Sequence, residues 1–305
     1  MEKVLITGIS GGQGRLLARR LMANFEVCGV DRVAWEGHPR GIRVHVVDVR
    51  KKKFEDVIRT EMPNAIVHMG FIRHFRADPK ERHDVNVRGT KQLLDHCVHN
   101  GVQSLVVVSS GYVYGAFPEN AYFMDEDSPL SASRSYPEIR DLVEVDTLAS
   151  TYLWRFPHIR TCVLRPVNVL GYCGHSMIGQ YLRQKRVPTV MGFDPMMQFV
   201  HEEDLNEAIA KALEHRLQGV FNVTGAGEVP LHTAIDETGG TAWPVPEPLL
   251  RPMFSRLFQL GLIPYPPGAL DFLKFPITLS GVRFVEATSF RPLFGLEETL
   301  RSVQS

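Results

Sequence analysis

Short aliphatic runs at positions 4–6, 27–30, 44–47, 65–68, 105–108, 162–165 and 220–223 recur along the first three quarters of the chain. Each has the length of a buried strand and is too short for a helix. Between them, segments near 15–23, 54–61, 84–100, 137–154 and 203–216 carry apolar residues three and four apart, which is helical spacing. Strands alternating with amphipathic helices predict an α/β fold with a doubly wound parallel sheet covered on both faces. The rhythm stops after about Gly227, where Pro244, Pro246, Pro248, Pro252, Pro264, Pro266, Pro267 and Pro276 crowd a segment rich in Phe and Leu. A smaller carboxy-terminal lobe is therefore expected, formed by 171–196 and 227–305, beside a main domain of 1–170 and 197–226.

The first strand runs into chemistry. Lys3-Val4-Leu5-Ile6-Thr7 is followed by Gly8, Gly11, Gly12, Gln13 and Gly14, then by a helical pattern from Arg15. Gly8 permits the turn, Gly11 lets backbone approach a pyrophosphate, and Gly14 lets helix and strand pack closely. The helix N-terminus offers backbone N–H groups to the phosphate charge. The second apolar run ends in Asp31, at the spacing of a carboxylate that binds an adenosine ribose. This Rossmann-like arrangement predicts a dinucleotide site. Asp31 favours NAD over NADP, although the neighbouring Arg32 can turn toward a 2′-phosphate.

Composition narrows the class. With 305 residues, 34 basic and 34 acidic, the chain has no net field to recruit nucleic acid or an anionic membrane. Cys28, Cys97, Cys162 and Cys173 show no CxxC or metal spacing and read as reduced core cysteines, so a cytoplasmic location is expected. The first strand begins at once, so no signal peptide is expected, and no apolar run is long enough to span a bilayer. Among the histidines, His68 and His201 lie in strand motifs and His74 and His83 in a loop; none has metal-ligand spacing.

Further motifs follow in order: Val47-Asp48-Val49-Arg50, Val67-His68-Met69-Gly70-Phe71, Asp84-Val85-Asn86-Val87-Arg88-Gly89-Thr90, and Val108-Ser109-Ser110-Gly111-Tyr112-Val113-Tyr114-Gly115. Beyond them stand Leu164-Arg165-Pro166-Val167-Asn168-Val169-Leu170-Gly171, Phe199-Val200-His201-Glu202-Glu203-Asp204-Leu205 and Val220-Phe221-Asn222-Val223-Thr224-Gly225. Together they resemble the extended short-chain dehydrogenase/reductases of the NAD-dependent epimerase/dehydratase family. The resemblance implies hydride transfer on a secondary alcohol, with nucleotide sugars among the candidate small-molecule substrates. It places Asp48 and Val49 at the adenine, Met69 and Gly70 along the cofactor, and Asn168 and Tyr112 toward the substrate.

The family's catalytic groups are a Ser, and a Tyr and Lys in YxxxK. Ser110 matches the serine that holds the substrate oxygen, and Tyr136 matches the acid/base, but Arg140 stands where the lysine belongs. In the family that lysine binds the nicotinamide ribose and lowers the tyrosine pKa. Arginine keeps the charge with a different donor geometry. The residues also allow a plainer reading, with the serines ending a strand, Tyr136 at a core edge and Arg140 paired to Glu144 one turn on. Met197-Gln198 replaces the usual Arg-Asp, which removes a phosphate-binding cation. These departures mark an atypical branch and keep two other functions open: a non-catalytic NAD-binding regulator or scaffold, and a dehydrogenase of an apolar, lipid-like alcohol.

Two expectations concern partners. Leu249, Leu250, Met253, Phe254, Leu257 and Phe258 form one face of a short helix, read as a lid packed on the body in preference to a helix lying on a membrane. Relatives pair the helix after Asn86 with the helix carrying YxxxK. A homodimer is therefore expected, with Leu93, Leu94, Cys97, Leu142, Val145, Leu148 and Tyr152 as candidate contacts.

Overall fold

A computed structural model describes residues 1–75, 77–172 and 176–304, so Cys173 lies outside the described residues. The strands are β1 Lys3–Thr7, β2 Glu26–Asp31, β3 Arg43–Val46, β4 Ala65–His68, β5 Ser104–Val108, β6 Arg160–Pro166, β7 Asn168–Leu170, β8 Arg186–Val190, β9 Met196–His201, β10 Gly219–Val223, β11 Glu228–Pro230 and β12 Thr241–Val245. The helices are α1 Gly12–Leu21, α2 Lys52–Glu61, α3 Pro79–His83, α4 Gly89–His99, α5 Arg140–Arg155, α6 Met177–Leu182, α7 Glu202–Glu214, α8 Leu231–Glu237 and α9 Glu247–Gln259, with α10 Val282–Thr288 and α11 Leu296–Arg301 near the end.

Seven strands form one parallel sheet in the order β10-β6-β5-β4-β1-β2-β3. β5 and β4 are buried at every position, which explains their unbroken apolar runs. Helices cover both faces through two separate apolar clusters, one containing Leu17, Leu21, Ile209 and Leu213, the other Phe54, Ile58, Leu93 and Val145. Chain order reverses between β4 and β1, which makes the crevice above their carboxyl ends the ligand position of such sheets.

A third cluster gathers Tyr181, Leu182, Val187, Leu231, Ile235, Leu250, Phe254 and Leu300 around two small sheets, β11-β9-β7 and β12-β8. Its helix α9 turns Leu250 and Phe254 inward and leaves Leu249 65% exposed, so the apolar face read from the sequence is divided between packing and surface. Cys28, Cys97 and Cys162 are buried and unpaired. No helix of the described residues is long and apolar enough to cross a membrane.

Candidate functional site

The turn after β1 is built by close contact. Gly8 has φ +76° and its N–H donates to Val30 O, while the Gly11 N–H donates back to Gly8 O. A Cβ on Gly14 would lie 2.2 Å from Gly8 O, and one on Gly8 would lie 2.7 Å from Gly70 Cα. Gly11 is exposed, and the nearest atom to a Cβ there is 3.4 Å away, so backbone is open on that side. It caps α1 without a side-chain bond, leaving the first-turn N–H groups of Gly12, Gln13 and Gly14 to serve an anion. The Gln13 side chain does not join them: its Nε2 donates to Glu202 O and Asn206 Oδ1, tying α1 to α7.

Asp31 ends β2 with Oδ2 accepting the Ser10 N–H at 3.0 Å and Oδ1 the Val33 N–H at 3.2 Å. Each oxygen keeps a lone pair for a ribose hydroxyl. Arg32 pairs with Glu81 at 3.3 Å on the surface. Asp48 is held by Arg50, whose other arm reaches Asp84, and this hydrogen bonding keeps its pKa below the usual carboxylate value. Val49 is buried, with its Cγ2 against Gly89.

Behind the turn lies a network that sequence reasoning missed. Thr7 Oγ1 meets His68 Nδ1 at 2.8 Å and accepts the N–H groups of Met69 and Gly70. His68 Nε2 meets Thr90 Oγ1 at 2.9 Å, and burial, with the Arg73 charge, pushes its pKa down to about 3. The ring is therefore a neutral brace between strand ends. Polar residues closing β1 and β4 were the available signal. Their pairing required knowing that the two strands are neighbours.

Of the two serines after β5, Ser109 donates to the buried Asp146, which also holds Arg165. Ser110 Oγ accepts only the Tyr112 N–H, at 3.2 Å. Its hydroxyl proton thus remains available for a substrate oxygen. Tyr112 donates to Asn168 Oδ1 at 2.5 Å, and Asn168 Nδ2 donates to Gln198 O, so this pair is locked across β7 and β9.

Tyr136 is buried, and its hydroxyl has no protein partner. Ser135 Oγ and Glu138 Oε2 are buried and unpartnered beside it in sequence, so three polar atoms within four positions have no protein partner. Burial first, then the Glu138 carboxylate and Tyr112, raise the Tyr136 pKa well above 10, with Arg82 opposing. Gly268 lies flush on the ring: a Cβ there would be 2.7 Å from Tyr136 Cδ2. Phe272 meets both Tyr112 and Tyr136 edge-on, at 4.9 and 5.5 Å.

Arg140 opens α5. Pro137 begins a 3₁₀ turn, Pro137–Ile139, and α5 starts only at Arg140, so tyrosine and cation do not share a helix. The cause is local: a proline excludes the preceding residue from helical backbone, and Tyr136 has φ −130° and ψ 77°. Arg140 is exposed and makes no ion pair among the described residues, while Glu144 bonds His83 at 2.9 Å. The expected Arg140–Glu144 pair is not formed, and Arg140 lies on the surface at the start of α5. The α5 start is held by Arg82, whose Nε donates to Asp141 Oδ2 at 2.9 Å and whose Nη2 donates to Glu138 O at 2.6 Å.

An apolar cleft opens beside Tyr136 and Tyr112. Its wall includes Asn168, Met197, Phe254, Phe272 and Ile277, and no charged residue lines it among the described residues. Met197, at the position of the family's phosphate-binding arginine, is buried in that wall.

A doubly wound parallel sheet with a glycine turn between its first strand and helix, and a carboxylate closing the second strand, defines a Rossmann-type fold. The model of the NAD dependent epimerase/dehydratase family matches residues 4–224, and the chain belongs to that family. An uncharacterized protein of Mycobacterium tuberculosis is 28% identical over 256 residues, covering 80% of this chain and 67% of that protein. Human 3 beta-hydroxysteroid dehydrogenase type 7 is 31% identical over 116 residues, 36% of this chain and 31% of that enzyme. The Thermus thermophilus UDP-glucose 4-epimerase, solved as a complex with NAD, is 24% identical with a TM-score of 0.77 over 99% of this chain and 97% of that one. The fold class and family read from the sequence stand, as does the assignment to an NAD-dependent enzyme family.

Proposed function

We propose that the protein is an NAD-dependent oxidoreductase acting on a secondary alcohol or ketone carried by an apolar body. The carrying observation is the cleft beside Tyr136, where Met197 and aromatic walls replace charged groups. A nucleotide sugar would bring its phosphate charges to a cleft that no cation lines among the described residues, whereas an apolar ring system would bury against Phe254, Phe272 and Ile277. The partial match to an enzyme named for hydroxysteroids accords with this reading. The glycine turn, the uncapped start of α1, Asp31 and the unpartnered atoms of 135–138 fit NAD, which when bound supplies the hydride acceptor or donor. Ser110 would orient the substrate oxygen and Tyr136 would exchange its proton.

A nicotinamide absorbance screen with product mass spectrometry tests this. Hydroxysteroids and other apolar secondary alcohols should turn over, and Tyr136→Phe should lose about 10²–10⁴-fold in rate. Turnover of uridine-diphosphate sugars with none of the apolar alcohols would overturn the substrate class. The exposed Arg140 favours a second reading, a non-catalytic NAD-binding regulator. It would be supported by NAD binding without turnover of either class. We further place the protein in the cytoplasm, on its unpaired buried cysteines, and as a homodimer.

A further inference from the structure

The segment after β4 is clamped. Asn86, in a π-helical turn Asp84–Arg88, accepts the Ile72 N–H at 2.8 Å and donates to the Ile72 carbonyl at 3.0 Å. Arg73 therefore leaves the sheet from a fixed backbone. It is an exposed residue, yet its Nη2 turns in to donate to Val108 O at 2.9 Å, over the carboxyl end of β5 and two residues before Ser110. The Phe71 ring supports the guanidinium at 5.7 Å.

Topology says what this position faces. The glycine turn follows β1 and Asp31 ends β2, so the adenosine half of a dinucleotide belongs over β1 and β2. The nicotinamide half then belongs over β4 and β5, across the switch in strand order. Other cations near those strand ends are committed: Arg82 to Asp141 and Glu138 O, and Arg165 to Asp146, Tyr114 and Glu126 O. Arg73 has a neutral carbonyl as its hydrogen-bond partner and no carboxylate among the described residues. A guanidinium carries five donors, so most remain for a ligand.

We propose that Arg73 supplies the cation of the nicotinamide half, binding the nicotinamide ribose in place of the lysine that Arg140 fails to replace. The proposal rests on the NAD reading above. It also accounts for how the family's lysine position came to hold a residue that faces solvent: the charge enters from the loop after β4.

Calorimetric titration with NAD and with ADP, which lacks the nicotinamide ribose, tests the assignment without any substrate. Arg73→Met should weaken NAD about tenfold or more and leave ADP within twofold, consistent with losing one charge-assisted bond. Arg73→Lys should recover most of the loss, and Arg140→Met should change neither ligand. Unchanged NAD affinity in Arg73→Met would overturn the proposal, as would equal losses for NAD and ADP or a NAD-selective loss in Arg140→Met. Wild-type protein that binds ADP and NAD equally would also overturn it, since the nicotinamide half would then add nothing. Protein that binds neither would remove the NAD reading and this proposal together.

Discussion

His68 shows how one residue type can mislead until its neighbours are known. In the sequence it is a histidine ending a strand, a common place for chemistry; in the fold it is buried between Thr7 and Thr90. Its proton is held only near pH 3 when folded, against 6.5 ordinarily, because burial disfavours the charged ring. Between those values the unfolded chain binds one proton more, so stability falls as pH drops, by about 1.4 kcal/mol per unit at full effect. Denaturant unfolding from pH 6.5 to 5 should show this slope, and His68→Gln should reduce it. An unchanged slope would mean that other groups set the acid sensitivity. Gly14 was more legible, since its need for close packing is stated by the glycine spacing itself and appears as Gly8 O 2.2 Å from a hypothetical Cβ. The positions of Asp31, closing β2, and Ser110, two residues past β5, were likewise legible, because each follows an apolar run. Thr7 and Arg73 were not, because their contacts join strands far apart in sequence.

Elements were read well where periodicity was strong, and their ends less well. The reading of helix over 84–100 holds a π-helical turn, Asp84–Arg88, before α4, and that of 137–154 starts with a 3₁₀ turn before α5. That second difference separates Arg140 from Tyr136. It also predicts which residues anchor α5. Arg82 and Asp141 form a buried pair, with side chains 7% and 10% exposed, while Arg140 is on the surface. Asp141→Ala should cost about 3–5 kcal/mol by leaving Arg82 buried and unpaired, whereas Arg140→Ala should stay within about 0.5 kcal/mol. Chemical denaturation would measure both, and equal effects would contradict the proposed anchor.

At the scale of the molecule, the expected dimer contacts need correction. Leu93, Leu94, Cys97 and Val145 are at most 1% exposed, and Tyr152 is also buried, all within the chain's own core; Leu142 and Leu148 are partly buried against it. What α5 leaves outside is Trp154, 81% exposed, with Thr151 and Thr147 one and two turns before it. If the helix pair α4–α5 joins two copies, light scattering at tens of micromolar should give twice 34.4 kDa, and Trp154→Glu should halve it. A monomeric wild type would end the dimer proposal. The sequence by itself determined the alternation of strands and helices, the glycine turn and the family, because these depend on residues near one another along the chain. Only the tertiary structure decided that Arg140 faces solvent, that Gly268 and Phe272 cover Tyr136, that Met197 belongs to an apolar cleft and that Arg73 crosses the end of β5. Those outcomes depend on which surfaces meet after folding: side-chain spacing sets a local conformation, but burial and partnership are set by segments distant in sequence.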